Sequence, residues 1–216
     1  EIYQRSPKFI TLAAKTQHAH KKDINRILAK WQGTEMGKLT KPIVYKWYEA
    51  LFAAHGPSVS RRLIKMLSIL MSYAELKGVV ATNPLYRMQM VTPKARKRIA
   101  SWAEFDALET AAITLQDDGM RLALYLGMFE GQRSTDIFTA RAYEFVERDQ
   151  VLHWHILRSK DTRLERQSIL VIHDDAAPLL RAALRHVTLP DRHIITRKDG
   201  CVYDDEKFSK AFADVR

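Results

Sequence analysis

One short segment of the sequence combines a turn-forming glycine, an arginine and a carboxylate. Gly131 stands two residues before Arg133, and Asp136 follows Arg133 by about one helical turn. Glycine lets the backbone turn tightly in front of a short predicted helix, and the planar guanidinium of an arginine there can bind two oxygens of one phosphate. The same residues also fit an ordinary surface ion pair between Arg133 and Asp136, which contributes about 0.3 kcal/mol. The segment by itself leaves both interpretations open.

A second candidate is Lys160, which lies in a polar stretch between two predicted strands. A lysine in the turn of a hairpin can reach a ligand that lies over the sheet. Its ammonium can donate a proton when neighbouring cations lower its pKa. A solvated turn lysine also explains the residue, because lysine side chains are mostly exposed.

The histidine pairs and the single cysteine give weaker signals. His153 and His155 share one face of a predicted strand, as the ligands of a metal site would, whereas His18 and His20 do not share a face of a helix. Neither pair has a third ligand at a suitable spacing, so we interpret both as surface or edge histidines. Cys201 is the only cysteine, which excludes an internal disulfide and makes a reducing cytoplasm the expected location.

The elements around Arg133 and Lys160 predict a mixed domain over residues 101–216. Its start is marked by a capping-box pattern at Ser101 and Glu104, in which the two side chains satisfy free N–H groups of the first helical turn. The later part contains β-branched and aromatic stretches with short polar connections, which is typical of an antiparallel meander. The predicted strands cover residues 143–146, 151–157 and 167–172. The predicted helices cover residues 101–115, 120–129, 134–139, 175–186 and 204–216.

Residues 1–87 predict a small bundle of amphipathic helices, because apolar residues recur there at helical spacing. The periodic stretches cover residues 17–31, 40–55 and 57–77. Residues 88–100 have no hydrophobic period and end in a basic cluster, so we interpret them as an exposed linker between two domains. The fold class predicted for the chain is therefore mainly α with a small antiparallel sheet, an α+β class.

The net charge of +10 is concentrated in the first half of the chain. Residues 1–100 contain 19 Lys and Arg against five Asp and Glu, whereas residues 101–216 contain 16 against 20. A basic module joined to a slightly acidic domain suggests that the first part binds a polyanion, although lysines that only keep a helical domain soluble would give the same counts. The residues predicted to contact DNA are Arg61, Arg62, Lys65, Lys94, Arg96, Lys97 and Arg98.

These features together resemble the tyrosine recombinases of the phage-integrase kind. In that family the first catalytic arginine lies in G-x-R-x-x-E/D and a catalytic lysine lies in the turn between the second and third strands, as Arg133 and Lys160 do here. Residues 56–84 are similar to the family's helix that ends in N-P, and they read GPSVSRRLIKMLSILMSYAELKGVVATNP. The positions that fit this pattern are Arg62, Leu67, Ala74, Gly78, Val80, Asn83 and Pro84. The resemblance covers nearly the whole chain.

The resemblance implies a core-binding domain followed by a catalytic domain, with site-specific DNA recombination as the activity. In the family a tyrosine attacks a DNA phosphodiester and forms a 3′-phosphotyrosine, without ATP, a metal or another cofactor. Arg133 would then hold phosphate oxygens, and Lys160 would protonate the leaving 5′-oxygen. The implied partners are double-stranded DNA and further copies of the protein, which assemble as a homotetramer on DNA.

The sequence departs from the family pattern at Ala140 and Ala142, which stand where the family has Leu and Trp. This departure predicts altered packing beneath Arg133. The family's H-x-x-R box and tyrosine nucleophile follow the helix in which this chain stops, and Tyr203 precedes that point, so Tyr203 is not expected to be the nucleophile. We therefore expect the chain to be part of a longer protein, to bind DNA and to lack the nucleophile.

Two other interpretations fit the same sequence. A non-catalytic DNA-binding or architectural protein with a helical bundle and a small α+β domain would have the same basic half. A recombinase fold that has lost catalysis and acts as a regulator is the second. An H-x-x-R motif and a later tyrosine in the downstream sequence would favour the enzyme over both.

Overall fold

The computed structural model describes residues 2–95, 97–157 and 167–214. The chain divides into two compact units, Glu1–Lys97 and Arg98–Arg216, and each has its own hydrophobic core. Helices predominate in the described ranges, and a sheet of three antiparallel strands lies in the second unit. None of the helices in these ranges is long and apolar enough to cross a membrane. The predicted α+β class is confirmed.

The first unit consists of two long helical elements and shorter turns. Its helices are α1, Pro7–Ile10; α2, Ala14–Trp31; and α3, Lys41–Leu76. Helix α3 bends at Gly56, whose φ of 74° lies in the left-handed region that favours glycine. Pro57 follows the bend, where its missing N–H costs little because a new helical segment begins there. The core between α2 and α3 contains Ile24, Ile27, Val44, Tyr48, Ile64, Leu67 and Met71.

The turn that follows α3 is fixed by Asn83, whose side chain is buried in a polar network. Its Nδ2 donates to the backbone oxygen of Ser68 at 3.0 Å and to Oγ of Ser72 at 2.8 Å. Its Oδ1 accepts from the backbone N–H of Leu85 at 2.9 Å. One amide therefore joins α3 to the segment after it, and that segment then buries Leu85 in the core.

The segment predicted as a linker is attached to the first unit at its start. Met88 is buried against the core. The backbone N–H of Val91 donates to the hydroxyl of Tyr48 at 2.8 Å. Arg61 of α3 also donates to the hydroxyl of Thr92, so the first unit holds the chain as far as Thr92.

The second unit packs its helices against one face of the sheet. Its helices are α4, Trp102–Thr114; α5, Asp118–Phe129; α6, Ser134–Thr139; α7, Ala177–Arg185; and α8, Asp205–Asp214. Its strands are β1, Phe145–Arg148; β2, Val151–Leu157; and β3, Gln167–Val171, in the order β1-β2-β3. Helix α4 begins with the predicted capping box between Ser101 and Glu104.

The central strand β2 alternates between the core and the outside of the sheet. Leu152, Trp154 and Ile156 are buried, and Trp154 is fully so. The indole N–H of Trp154 donates to Oε2 of Glu144 at 2.9 Å. Burial raises the pKa of the Glu144 carboxyl, and the indole hydrogen bond partly offsets that rise. The inner face of the sheet is thus anchored by an aromatic side chain whose only polar atom is satisfied.

The first strand begins later than the sequence predicts. A strand was expected over residues 143–146, whereas β1 begins at Phe145, after a 3-10 turn over Ala142–Glu144. The backbone N–H of Tyr143 donates to the carbonyl oxygen of Pro190 at 2.9 Å. Because Pro190 is far along the chain, local strand preference could not indicate this bond.

We expect Asn83→Ala to lower the free energy of unfolding by about 1–3 kcal/mol, because buried groups of the turn lose their hydrogen-bond partners. Urea unfolding followed by circular dichroism measures the change. Asn25→Ala, at an exposed position of α2, is the matched control and should change stability by less than about 0.5 kcal/mol. Equal stability of the Asn83 variant and the parent chain would show that the network contributes nothing.

Candidate functional site

Arg133 lies on the surface of the second unit and is the residue directly before α6. Gly131, two residues earlier, has a φ of +60°, so the sharp turn that the glycine predicted is present. The side chain of Arg133 is 48% exposed, and its Nη1 lies 3.9 Å from Oδ2 of Asp136, whose side chain is 2% exposed. That distance is too long for a hydrogen bond. Within the described residues the guanidinium makes no hydrogen bond, so its N–H donors are available to a ligand there while a buried carboxylate lies close to it.

The turn before Arg133 is held to the sheet by Glu130. Its Oε1 accepts from the backbone N–H of His173 at 2.7 Å. The imidazole of His173 stacks on the ring of Phe129, with centroids 4.6 Å apart and planes 19° from parallel. His173 lies between β3 and α7, so these two contacts join the end of α5 to the end of the sheet. No local pattern indicates these contacts, because Glu130 and His173 are 43 residues apart.

The far side of the same turn is held to α8. The hydroxyl of Ser134 donates to Oδ1 of Asp205 at 2.6 Å. Asp205 is the first residue of α8. Arg133 therefore lies between two residues, Glu130 and Ser134, that contact different elements of the same unit.

The backbone at Ala140 and Ala142 pairs with a later segment of the chain. The carbonyl oxygen of Ala140 accepts from the N–H of Ile194 at 3.2 Å, and the N–H of Ala142 donates to the carbonyl oxygen of Arg192 at 3.0 Å. Ala140 and Ile194 are both buried in the core of the second unit. The segment around residue 192 therefore packs directly on the chain that follows α6.

Two predicted site residues, Lys160 and Arg96, lie outside the described residues. For Lys160 the structure gives the flanking strands, in which Leu157 pairs with Gln167 across β2 and β3. The proton-donor role of Lys160 and the DNA contact of Arg96 stay predictions.

The three basic candidates in α3 differ in what their side chains already contact. Nε of Arg62 lies 3.0 Å from Oδ2 of Asp23, whose side chain is 5% exposed. Arg61 donates to the hydroxyl of Thr92 at 2.5 Å. Lys65 is exposed and makes no ion pair or hydrogen bond within the described ranges. Arg62 thus neutralises a buried carboxylate of α2, while Lys65 has a charge that is available to a ligand.

The basic residues near residue 95 differ in the same way. Lys94 and Lys97 are exposed and form no ion pair with any described residue. Arg98 forms an ion pair with Glu104. The hydrogen bond from the Ser101 backbone N–H, together with Arg98, lowers the pKa of the Glu104 carboxyl. Arg98 therefore supports the start of α4.

Tyr203 is buried and hydrogen-bonded, and His153 and His155 lie within β2. Tyr203 is 2% exposed, and its hydroxyl donates to Oδ2 of Asp117 at 2.5 Å. Burial, and next the hydrogen bond to Asp117, raise the pKa of Tyr203, which opposes a role as a nucleophile. His153 and His155 lie opposite Val171 and Ile169 in the sheet, and the described residues contain no group of three potential metal ligands.

Solved recombinase structures share this fold. A lambda integrase dimer bound to a COC′ core site superposes with a TM-score of 0.81 at 16% identity, over 99% of this chain and 60% of that chain. A lambda integrase tetramer bound to a Holliday junction gives 0.76 at 17% identity, over 99% and 61%. The XerH site-specific recombinase bound to a difH substrate gives 0.58 at 12% identity, over 94% and 61%.

At these identities the likeness shows the fold alone. The chain spans about 60% of the length of the first of these integrase chains. No protein-family model and no curated protein matches the sequence.

We expect Arg62→Ala to lower the free energy of unfolding by about 1–2 kcal/mol, because the carboxylate of Asp23 would stay buried without its cation. The half exposure of Arg62 keeps this cost below that of breaking a fully buried pair. Urea unfolding measures it, with Lys65→Ala on the same helix as a control that should leave stability unchanged. If Arg62→Ala instead weakened DNA binding at unchanged stability, Arg62 would be a direct DNA contact.

Proposed function

We propose that this chain, which has the fold of the tyrosine recombinases, is the DNA-binding part and the first part of the catalytic domain of a phage-type integrase. The observation that carries the proposal is the setting of Arg133. Its guanidinium is half exposed on a turn whose neighbours contact the end of the sheet and α8. An arginine that stabilises a reacting phosphate needs this combination of access and fixed position.

In the proposed reaction a tyrosine oxygen attacks a DNA phosphodiester, and the bond from phosphorus to the 5′-oxygen breaks. The products are a covalent 3′-phosphotyrosine and a free 5′-hydroxyl. Because the new bond is also a phosphodiester, the reverse step rejoins a strand without ATP. Arg133 would bind the non-bridging oxygens, where negative charge grows in the transition state. Lys160 would donate the proton that the leaving 5′-oxygen takes up.

The assignment of domains follows the same proposal. Residues 1–87 would be the core-binding domain, residues 88–100 a basic linker whose first residues pack on that domain, and residues 101–216 part of the catalytic domain. By the family resemblance the nucleophile follows α8, so we propose that this chain binds DNA and that a longer protein supplies the tyrosine. The burial of Tyr203 supports this, because its hydroxyl is engaged by Asp117.

Double-stranded DNA is the proposed partner of the basic first half. The side chains that support this contact are exposed cations such as Lys65, Lys94 and Lys97, and phosphates bind cations without regard to base sequence. The integrase structures of the same fold are described as a dimer on a core site and a tetramer on a Holliday junction. We propose by analogy that the complete protein assembles as a homotetramer on DNA.

In the complete protein, Arg133→Ala should slow covalent adduct formation about 100-fold or more, because the transition state loses its charge-matched donor. A suicide duplex that carries the protein's own crossover site measures the rate, and a filter or gel assay measures affinity, which should change far less. Arg148→Ala, at an exposed position of β1, is the control and should leave the rate unchanged. An unchanged rate in the Arg133 variant would leave that residue as a surface ion pair only.

The affinity of this chain for a duplex should fall steeply with salt, with a slope of log Kd against log salt of about 0.9 per phosphate contact. The double variant Lys65→Ala, Lys94→Ala should reduce that slope by the contribution of about two phosphate contacts. Lys38→Ala is the control, because Lys38 already pairs with Glu35. A flat salt profile of the parent chain would contradict DNA binding by the basic half.

A further inference from the structure

The turn that carries Arg133 has a conformation that needs support from outside it. Gly131 has a positive φ, and glycine has the widest choice of backbone conformations of any residue. A hydrogen bond joins the residues on either side of Gly131: Nε2 of Gln132 donates to the carbonyl oxygen of Glu130 at 2.6 Å. That local bond closes the turn but does not fix where the turn lies relative to the sheet.

The carboxylate of Glu130 provides the connection to the sheet. It accepts the His173 N–H at 2.7 Å. The residue before His173 is itself held, because the N–H of Ile172 donates to the carbonyl oxygen of Leu152 in β2. The carbonyl oxygen of His173 in turn accepts from the N–H of Ala177 at the start of α7. Glu130 therefore contacts a backbone position that is fixed on both sides.

We infer that Glu130 is a positioning residue, which fixes the guanidinium of Arg133 for phosphate binding through the His173 backbone. The inference rests on the proposed function of Arg133. Glu130 does not touch the phosphate; it sets where the turn lies. A displacement of a reacting group by about 1 Å can cost on the order of 100-fold in rate. The hydrogen bond of Glu130, three residues before Arg133, is therefore close enough to affect the rate.

The negative charge of Glu130 weakens phosphate binding, whereas its hydrogen bond to His173 favours that binding. A carboxylate near Arg133 repels a phosphate, so removing the charge alone would strengthen binding. The hydrogen bond and the charge are separable, because glutamine keeps an acceptor oxygen and loses the charge. Positioning predicts that Glu130→Gln binds phosphate as well as the parent chain or better, and that Glu130→Ala binds it more weakly.

The experiment uses the 216-residue chain and inorganic phosphate as the probe, at constant ionic strength. The Nε–Hε resonance of Arg133 is followed by NMR as phosphate is added, and Arg133→Ala assigns the signal. We expect Glu130→Ala to raise the apparent Kd about three- to tenfold, the range for losing one hydrogen bond, and Glu130→Gln to restore it. Glu147→Ala is the matched control, because Glu147 pairs with Arg181 in the same unit and should leave the Kd unchanged.

Amide hydrogen exchange separates positioning from loss of the fold. Exchange at His173 should become faster in Glu130→Ala and stay slow in Glu130→Gln, while exchange in the core strand β2 is unchanged. Tighter phosphate binding by both Glu130 variants would mean that only the charge acts, and it would overturn the inference. Equal Kd values in all three proteins would overturn it too. If phosphate never shifts the Arg133 resonance, the proposed function of Arg133 fails instead.

Discussion

An arginine that binds a phosphate needs available N–H donors and a fixed backbone, and the surroundings of Arg133, as far as the structure describes them, are compatible with both demands. The guanidinium lies 3.9 Å from the buried carboxylate of Asp136, which is close enough for attraction and too far for a hydrogen bond. Support comes instead from the adjacent residues, since Glu130 bonds to His173 and Ser134 bonds to Asp205. If Arg133 were held by its own side chain, it would have fewer donors left for a ligand.

The inner core of the second unit makes this support rigid. Trp154 is fully buried at the centre of the sheet, with its indole N–H bonded to Glu144. After α6, Ala140 and Ile194 are both buried and share a backbone hydrogen bond, which joins the segment around residue 194 to this core. Close-packed interiors deform little, so a turn that is hydrogen-bonded to the end of this sheet is held in a defined position.

The basic side chains of the first unit are of two kinds: some pair with carboxylates of the fold, and others are exposed to solvent. Arg62 fits the family's helix pattern, but its guanidinium is paired with the buried Asp23 across two helices. Lys65, one turn further along α3, is exposed and has no such partner among the described residues. A basic surface attracts a polyanion through charge that is not already neutralised within the fold. The number of basic residues in a sequence therefore overstates the charge that a fold leaves available to a polyanion.

The sequence by itself determined the features that depend on neighbouring residues. The capping box at Ser101, the interruption between the helical stretches 40–55 and 57–77 and the range of β2 all follow from local patterns, and the structure shows each of them, the interruption as a bend at Gly56. The α+β class follows from the order of these elements. The G-x-R pattern also identified Arg133 as a candidate, because a glycine turn before an arginine is a local signal.

Only the tertiary structure decided which side chains meet. The pairing of Arg62 with Asp23 joins residues 39 apart, and the bond between Glu130 and His173 joins residues 43 apart. The late start of β1 depends on Pro190 in the same way. Propensity and periodicity report a residue's preference for a helix or a strand, whereas a hydrogen bond between distant residues depends on how the whole unit packs.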